Sequence, residues 1–425
     1  MTRLATLDST KLDHVIGVLE SLHQHRIAKP LNKSDELYYE MLVNYYHNIR
    51  DAKAQGKTLV YHTAQLPTEI FYAMDLVPCL IDMAATTVVN LINAWEEGLA
   101  TAKAYGLAPE ICSSQRLIVS NVINGWLPRP DAVIWSNMTC DNCAAMCRIA
   151  ARLWGCPGHY LDRGYQFDER GLAYYKRELE GMIAFLEALT GRKMDWDRLS
   201  EAVAYGRELM VLEREIEELR KATPSPLRSR AGLFMHLVGY YLPGTPESVT
   251  FMRQMRDEAK ARVANGEGST REEKYRLLMF FEPPAYGWKL LDWMERAHNA
   301  VIVAEPSLTQ WGPGDLDPAR PLESLALKAF IQPGSRQGCG PIDSLVEDML
   351  HGVKEYKVDG VIAFTHVGCR QAASCNRLLK DTIAAETGLP FFSVEHDIAD
   401  PAFASEEEIR DKIEGFLEMI DERRG

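Results

Sequence analysis

The feature that most restricts the fold is a repeated alternation of short apolar runs with longer helical stretches. Leu59-Val60-Tyr61, Ala132-Val133-Ile134-Trp135 and His159-Tyr160-Leu161 read as strands, with helical patterns between them, one of them over Pro67 to Leu76 with proline at its start. Beyond residue 271 the alternation resumes, with strands expected over Leu277 to Phe281, Val301-Ile302-Val303, Val361 to Phe364 and Phe391-Phe392-Ser393-Val394. Strands that alternate with helices form βαβ units, so each block predicts a parallel sheet covered by helices. From about 170 to 265 there is no strand signal. Asp197 to Lys221 instead carries Leu199, Val203, Leu209, Leu212, Ile216 and Leu219 at helical spacing, and Pro224 and Pro226 end that pattern. The chain thus predicts an α/β protein with two Rossmann-like or flavodoxin-like parallel-sheet domains, 55–190 and 271–425. A helical region, 191–270, joins them, and a helical arm, 1–54, precedes them. Such sheets bind ligands at their strand carboxyl ends, which points to a cleft between the domains.

Charge and hydropathy narrow the function classes. A net charge of −13 argues against a general nucleic-acid binder, which needs a basic surface. The longest apolar runs are far too short to span a bilayer, and Met1 to Val15 is polar, so a cytoplasmic location is expected with no membrane partner. Nine cysteines, an odd count in a large chain without a secretory signal, favour metal or redox use over a disulfide framework.

Two glycine motifs bear on phosphate binding. Gly56-Lys57-Thr58 resembles the end of a P-loop, but Asp51 stands where the pattern needs glycine, and the tripeptide precedes a strand instead of following one. Gly334-Ser335-Arg336-Gln337-Gly338-Cys339-Gly340 reads as a loop before a helix. Its backbone amides at Gly338 and the side chain of Arg336 are candidate contacts to a CoA phosphate, the alternative being a flexible turn.

Among the cysteines, Cys112, Cys140 and Cys369 share a setting. Each opens a helical run, and Cys140 and Cys369 also follow strands. A helix N-terminus stabilises a thiolate, and thiolates are the ligands of iron–sulfur clusters. A [4Fe–4S] cluster on three cysteines would leave one iron open, like the open position of a catalytic metal site. Cys143, Cys339 and Cys375 remain open as further ligands, whereas Cys79, Cys147 and Cys156 read as small apolar core residues. No second CxxC accompanies Cys140-x2-Cys143, so the pattern is not that of a zinc ribbon.

Several segments together resemble the benzoyl-CoA reductase / 2-hydroxyacyl-CoA dehydratase family. They are Pro67-Thr68-Glu69-Ile70 with Pro78, Ile111-Cys112, Thr139-Cys140 to Cys156-Pro157, Glu273 to Leu278 with Glu282-Pro283-Pro284 and Trp288, Asp359-Gly360-Val361-Ile362 with Gly368-Cys369, and Gly388-Leu389-Pro390 leading to Glu395, Asp397 and Asp400-Pro401. The resemblance spans roughly 55–425 and rests on the order and spacing of these segments. It implies a [4Fe–4S] cluster on Cys112, Cys140 and Cys369. It also implies a homologous second subunit in a heterodimer, and a separate iron–sulfur ATPase that injects an electron. The activity it implies is reductive dearomatisation of benzoyl-CoA or a related aryl-CoA, an oxidoreductase. The alternative is ketyl-radical dehydration of a 2-hydroxyacyl-CoA, a lyase. Relatives with a double-cubane cluster use more cysteines, and two of those positions fall here at His62 and near Pro130. A chain that only relays electrons, or a zinc-binding α/β protein, are readings of another class.

Ring reduction also needs protons. His62 at the end of the first strand, Glu69 opening the next helix and His366 three residues before Cys369 are the candidate donors. Glu395, His396 and Asp397 follow another strand end, where a cap or turn role is an equal reading.

Overall fold

A computed structural model describes residues 4, 7–138, 140–287, 289–308 and 314–424; Thr139 and Trp288 lie outside the described residues. Among the described residues eight strands form two four-stranded sheets, parallel throughout. The first holds β1 (Leu59–His62), β2 (Val77–Leu80), β3 (Ala132–Ser136) and β4 (Gly158–Leu161), in the order β2-β1-β3-β4. The second holds β5 (Tyr275–Phe280), β6 (Ala300–Ala304), β7 (Gly360–His366) and β8 (Phe391–His396), in the order β6-β5-β7-β8. The two-sheet α/β architecture is the one the alternation predicts. β1, β3, β5, β6 and β7 are buried along almost their whole length, which is why they read as continuous apolar runs.

One strand escaped the sequence reading. The helix expected through Leu76 stops at Ala73, Asp75 adopts a φ of 56°, and Val77–Leu80 pairs with β1. Pro78 hides it, because proline has no amide for a ladder and sits only where none is needed. β2 is an edge strand, so Pro78 leaves no neighbour unpaired.

The sheets share more than strand order. In each, three helices separate the second and third strands: Ile81–Leu91, Trp95–Tyr105 and Ser113–Asn124 in one, Pro321–Ile331, Pro333–Gly338 and Ile342–Glu355 in the other. One helix then joins the third strand to the fourth, Asp141–Trp154 or Arg370–Thr387, and a long helix follows, Glu169–Thr190 or Glu406–Arg424. In each the chain reverses its direction of travel between the first strand and the third. That switch point opens a crevice at the strand carboxyl ends.

The arm consists of two helices, Ser9–Ala28 and Lys33–Asp51, and the middle of the chain of helices Trp196–Arg220, Arg230–Tyr241 and Pro246–Asn265. The arm is integrated in the core. Tyr38 stacks on Phe234 with ring centroids 3.8 Å apart, and the Tyr45 hydroxyl accepts from the Leu80 amide at 2.7 Å. No helix of the described residues is long and apolar enough to cross a membrane.

Candidate metal centre

The carboxyl ends of the two sheets face each other, and three cysteines meet there. Each is the N-cap of a helix: Cys112 of Ser113–Asn124, Cys140 of Asp141–Trp154, Cys369 of Arg370–Thr387. An N-cap side chain is aimed at amides that the helix cannot itself satisfy. The Cys140 sulfur accordingly accepts from the Cys143 amide at 3.3 Å, and the Cys369 sulfur from the Ala372 amide at 3.5 Å. Two cysteines belong to the first sheet's helices and one to the second's.

The three thiols converge. Burial, and then the charge of Cys140 and Cys369, push the Cys112 thiol up. Burial pushes Cys140 up to about 12, against its amide hydrogen bond and with the Cys369 charge adding to the effect. Burial likewise raises Cys369, against amides that would lower it. Charge on Cys140 or Cys369 thus opposes ionisation of Cys112, an effect that a bound cation would offset. Arg370, beside Cys369, pairs with Asp141, beside Cys140, at 2.5 Å and so bridges the two helix starts.

His366, at the end of β7, contacts this group. Its Nδ1 accepts from the Ile398 amide at 3.1 Å, so in the neutral ring the proton sits on Nε2. Nε2 lies 3.1 Å from the Cys112 sulfur and donates to it. Burial holds the His366 pKa below the ordinary histidine value, which favours that neutral form. Close approach here requires Gly368. A Cβ at that position would lie 2.8 Å from the Cys112 Cα and 2.9 Å from the His366 ring. Gly368→Ala is expected to push the Val367-Gly368 turn off Cys112, and the loss would be read as lower iron retention than wild type after desalting. Unchanged retention would show that this turn has room to shift.

The other expected site residues are placed as follows. His62 is buried at the end of β1, its Nδ1 bonded to the Thr63 carbonyl at 2.9 Å, and burial lowers its pKa to about 4. Glu69 is sealed from solvent and accepts from Lys328 Nζ at 2.5 Å. The loop expected over 334–340 is largely the short helix Pro333–Gly338. There Arg336 is paired with Asp348, and the Gly338 carbonyl accepts from Gln371. Cys143 donates towards Asp82 at 3.9 Å and Cys375 to the Gln371 carbonyl at 2.9 Å, so both thiols turn to protein acceptors. Cys79 and Cys147 are buried apolar-core residues, and Cys156 packs against that core.

Sequence reasoning missed Asp82 and Ser113 near the cysteines. Asp82 is buried at the start of the helix after β2, and burial raises its carboxyl to about 6. Ser113 bonds Asp397 and ties the Cys112 helix to the end of β8, where Asp397 also accepts from the Ala399 and Asp400 amides. No motif marks Asp82 or Ser113, because their partners lie far away along the chain.

Among the described residues no three His, Cys, Asp or Glu side chains gather closely enough to hold a metal ion as they stand. The donors nearest to that role are three cysteine sulfurs at helix starts, one of them also accepting from an imidazole N–H, and thiolates are the ligands of iron–sulfur clusters.

Comparison with known proteins accords with this geometry. The profile of the family described as "2-hydroxyglutaryl-CoA dehydratase, D-component" matches residues 63–420. One of the subunits of benzoyl-CoA reductase from Thauera aromatica is 24% identical over 421 residues, covering 91% of this chain and 94% of that protein. The (R)-2-hydroxyisocaproyl-CoA dehydratase alpha subunit of Clostridioides difficile is 24% identical over 402 residues, covering 91% and 95%. The (R)-phenyllactyl-CoA dehydratase alpha subunit of Clostridium sporogenes is 23% identical over 387 residues, covering 87% and 91%. All three relatives are named as subunits, of a reductase or of dehydratases.

Proposed function

Because this chain belongs to the 2-hydroxyglutaryl-CoA dehydratase, D-component family, we propose that it is the iron–sulfur subunit of an enzyme that uses a very low-potential electron to act on an acyl-CoA thioester. The convergence of Cys112, Cys140 and Cys369 from both sheets carries the reading. These residues would hold a [4Fe–4S] cluster. When bound, such a cluster supplies a very negative one-electron couple and one iron without a protein thiolate. The reaction is reductive dearomatisation of benzoyl-CoA or a related aryl-CoA. The second reading, dehydration of a 2-hydroxyacyl-CoA, is favoured by the relatives that are dehydratase alpha subunits. A homologous second subunit completes the enzyme, and a separate iron–sulfur ATPase delivers the electron.

The chain's own residues have distinct tasks. The amides of Cys143 and Ala372 stabilise negative charge on the Cys140 and Cys369 sulfurs. The three cysteines are partly buried, which limits the water at the centre and strengthens the charges there. His366 donates its Nε2 proton to the Cys112 sulfur. A hydrogen bond to a cluster sulfur favours the more negative, reduced state, so His366→Leu is expected to make the cluster potential more negative. Potentiometric titration checks this; a potential equal to wild type or less negative would remove the role. Arg336 would have to exchange Asp348 for a CoA phosphate in order to bind one.

The test is metal content and substrate response after anaerobic purification. About four iron and four sulfide per chain, with an electron paramagnetic resonance signal that changes on addition of benzoyl-CoA or a 2-hydroxyacyl-CoA, are expected. A cluster indifferent to both esters would point to a pure electron relay. Zinc alone would end the proposal.

A further inference from the structure

The helix Arg230–Tyr241 presents His236 to the carboxyl end of β5, where Glu282 follows the strand. The imidazole meets two acceptors. Its Nδ1 lies 3.1 Å from the Leu308 carbonyl, and its Nε2 lies 3.2 Å from Glu282 Oε1. A carbonyl oxygen only accepts, so Nδ1 carries a proton. A neutral ring of that tautomer would turn its Nε2 lone pair on an ionised carboxylate. The contact is attractive only with a second proton between the two, either on Nε2 or on the Glu282 carboxyl. The pair therefore holds one proton more than a neutral histidine beside a carboxylate. Resting on the function proposed above, we propose that His236 and Glu282 hold the proton that is delivered to the bound acyl-CoA.

The pair's position supports that role. β5 and β7 flank the second sheet's switch point, and β7 ends at His366 on the Cys112 sulfur. The Glu282 charge is felt by His366, by Asp82 and by Tyr240. Asp82 in turn approaches Cys143 and acts on Cys140. The Tyr240 ring lies edge-on to His236 at 4.2 Å, and Gln65, at the carboxyl end of β1, donates to its hydroxyl. Glu305 faces His236 from the end of β6. The Glu282 side chain is 24% exposed, a path for reprotonation from solvent.

The backbone is bent to place it. Phe281, immediately before Glu282, has a φ of 62°. That left-handed conformation is strained for a bulky L residue. Such strain persists where the surroundings enforce it, and it aims the next side chain.

In the step itself, the substrate takes one electron from the low-potential iron–sulfur donor. The N–H or O–H bond of the pair breaks, and a C–H or O–H bond forms on the one-electron-reduced substrate. A neutral histidine and an ionised Glu282 remain, to be reprotonated by water. None of the proton donors expected from sequence sits in this way. His366 commits its proton to sulfur, and Glu69 is paired with Lys328.

The experiment has two readouts on the complex as purified, with its cluster oxidised. Nitrogen NMR of the histidine rings, assigned with His236→Gln, and carbon NMR of the glutamate carboxyls locate the proton near neutral pH. A doubly protonated His236, or a neutral ring facing a protonated Glu282, is expected, and Glu282→Gln should leave a ring protonated at Nδ1 alone. A neutral ring beside an ionised Glu282 in the wild type overturns the proposal. In turnover with benzoyl-CoA, His236→Gln and Glu282→Gln should lose about 100-fold or more in kcat, as general-acid catalysis implies. KM, iron content and the cluster's paramagnetic spectrum should stay unchanged, and Glu282→Asp should recover part of the loss. Activity within about twofold of wild type also overturns it. A wild-type complex with an intact cluster that converts neither benzoyl-CoA nor a 2-hydroxyacyl-CoA instead removes the proposed function, and the delivery step with it, while the spectra still locate the proton.

Discussion

Cys112→Ala, Cys140→Ala and Cys369→Ala should each strip the chain of its iron and sulfide while leaving the fold intact. A large metal loss is expected because the proposed cluster would be held at three corners by two halves of the chain and would keep no stable grip on two. The fold survives because what each sulfur gives the apo chain is small. An N-cap is worth roughly 1 kcal/mol, and cysteine is a weak acceptor. The controls are equally informative. Cys143→Ala and Cys375→Ala should keep their iron, since those thiols are buried and turned to Asp82 and to the Gln371 carbonyl. Iron and acid-labile sulfide, with circular dichroism for folding, decide the matter. Normal iron in all three variants would refute the ligand assignment. About eight iron in the wild type would instead indicate a double cubane.

The largest effect on stability is expected at Arg220, fully buried where helix Trp196–Arg220 meets the second sheet. Its guanidinium donates to both Glu305 oxygens at 2.6 and 2.8 Å and to Glu217 at 2.9 Å. Tyr356 adds a hydrogen bond to Glu217 at 2.9 Å. Gly232 must be glycine, because a Cβ there would overlap the Glu305 carboxylate. Arg220→Met leaves two carboxylates in the interior without their cation, at a cost of about 3–5 kcal/mol. An exposed pair such as Arg377–Asp381 contributes about 0–1 kcal/mol, so Arg377→Met is the control. Urea midpoints should fall markedly for the first and stay within error for the second. A midpoint unchanged in Arg220→Met would mean that the carboxylates find other partners or take up protons.

How much of this was legible in the sequence depended on the range of the interaction. Period and composition are local, so β1, β3, β4 and all four strands of the second sheet could be read directly, as could the helix ending at Arg220. β2 was hidden because its signal is broken by Pro78, harmless only at a sheet edge. Cys140 and Cys369 could be singled out because strand end and helix start adjoin them in sequence. The surroundings could not. Glu69 meets Lys328, Cys112 meets His366, and Glu282 meets His236, each pair brought together by the packing of distant elements. Arg336 shows the converse. A glycine-rich stretch suggested an open phosphate cradle, but the residues form a short helix whose arginine is already paired within the chain.

The shared topology of the two sheets bears on the cysteines. By place in the chain order Cys140 corresponds to Cys369, each capping the helix after its sheet's third strand. Cys112 corresponds to Pro341, each capping the last helix before its sheet's third strand. Of these four corresponding helix caps three are cysteine, and the fourth is a residue with neither thiol nor amide proton. In the cluster proposed here, the iron without a protein thiolate would answer to that one unmatched cap.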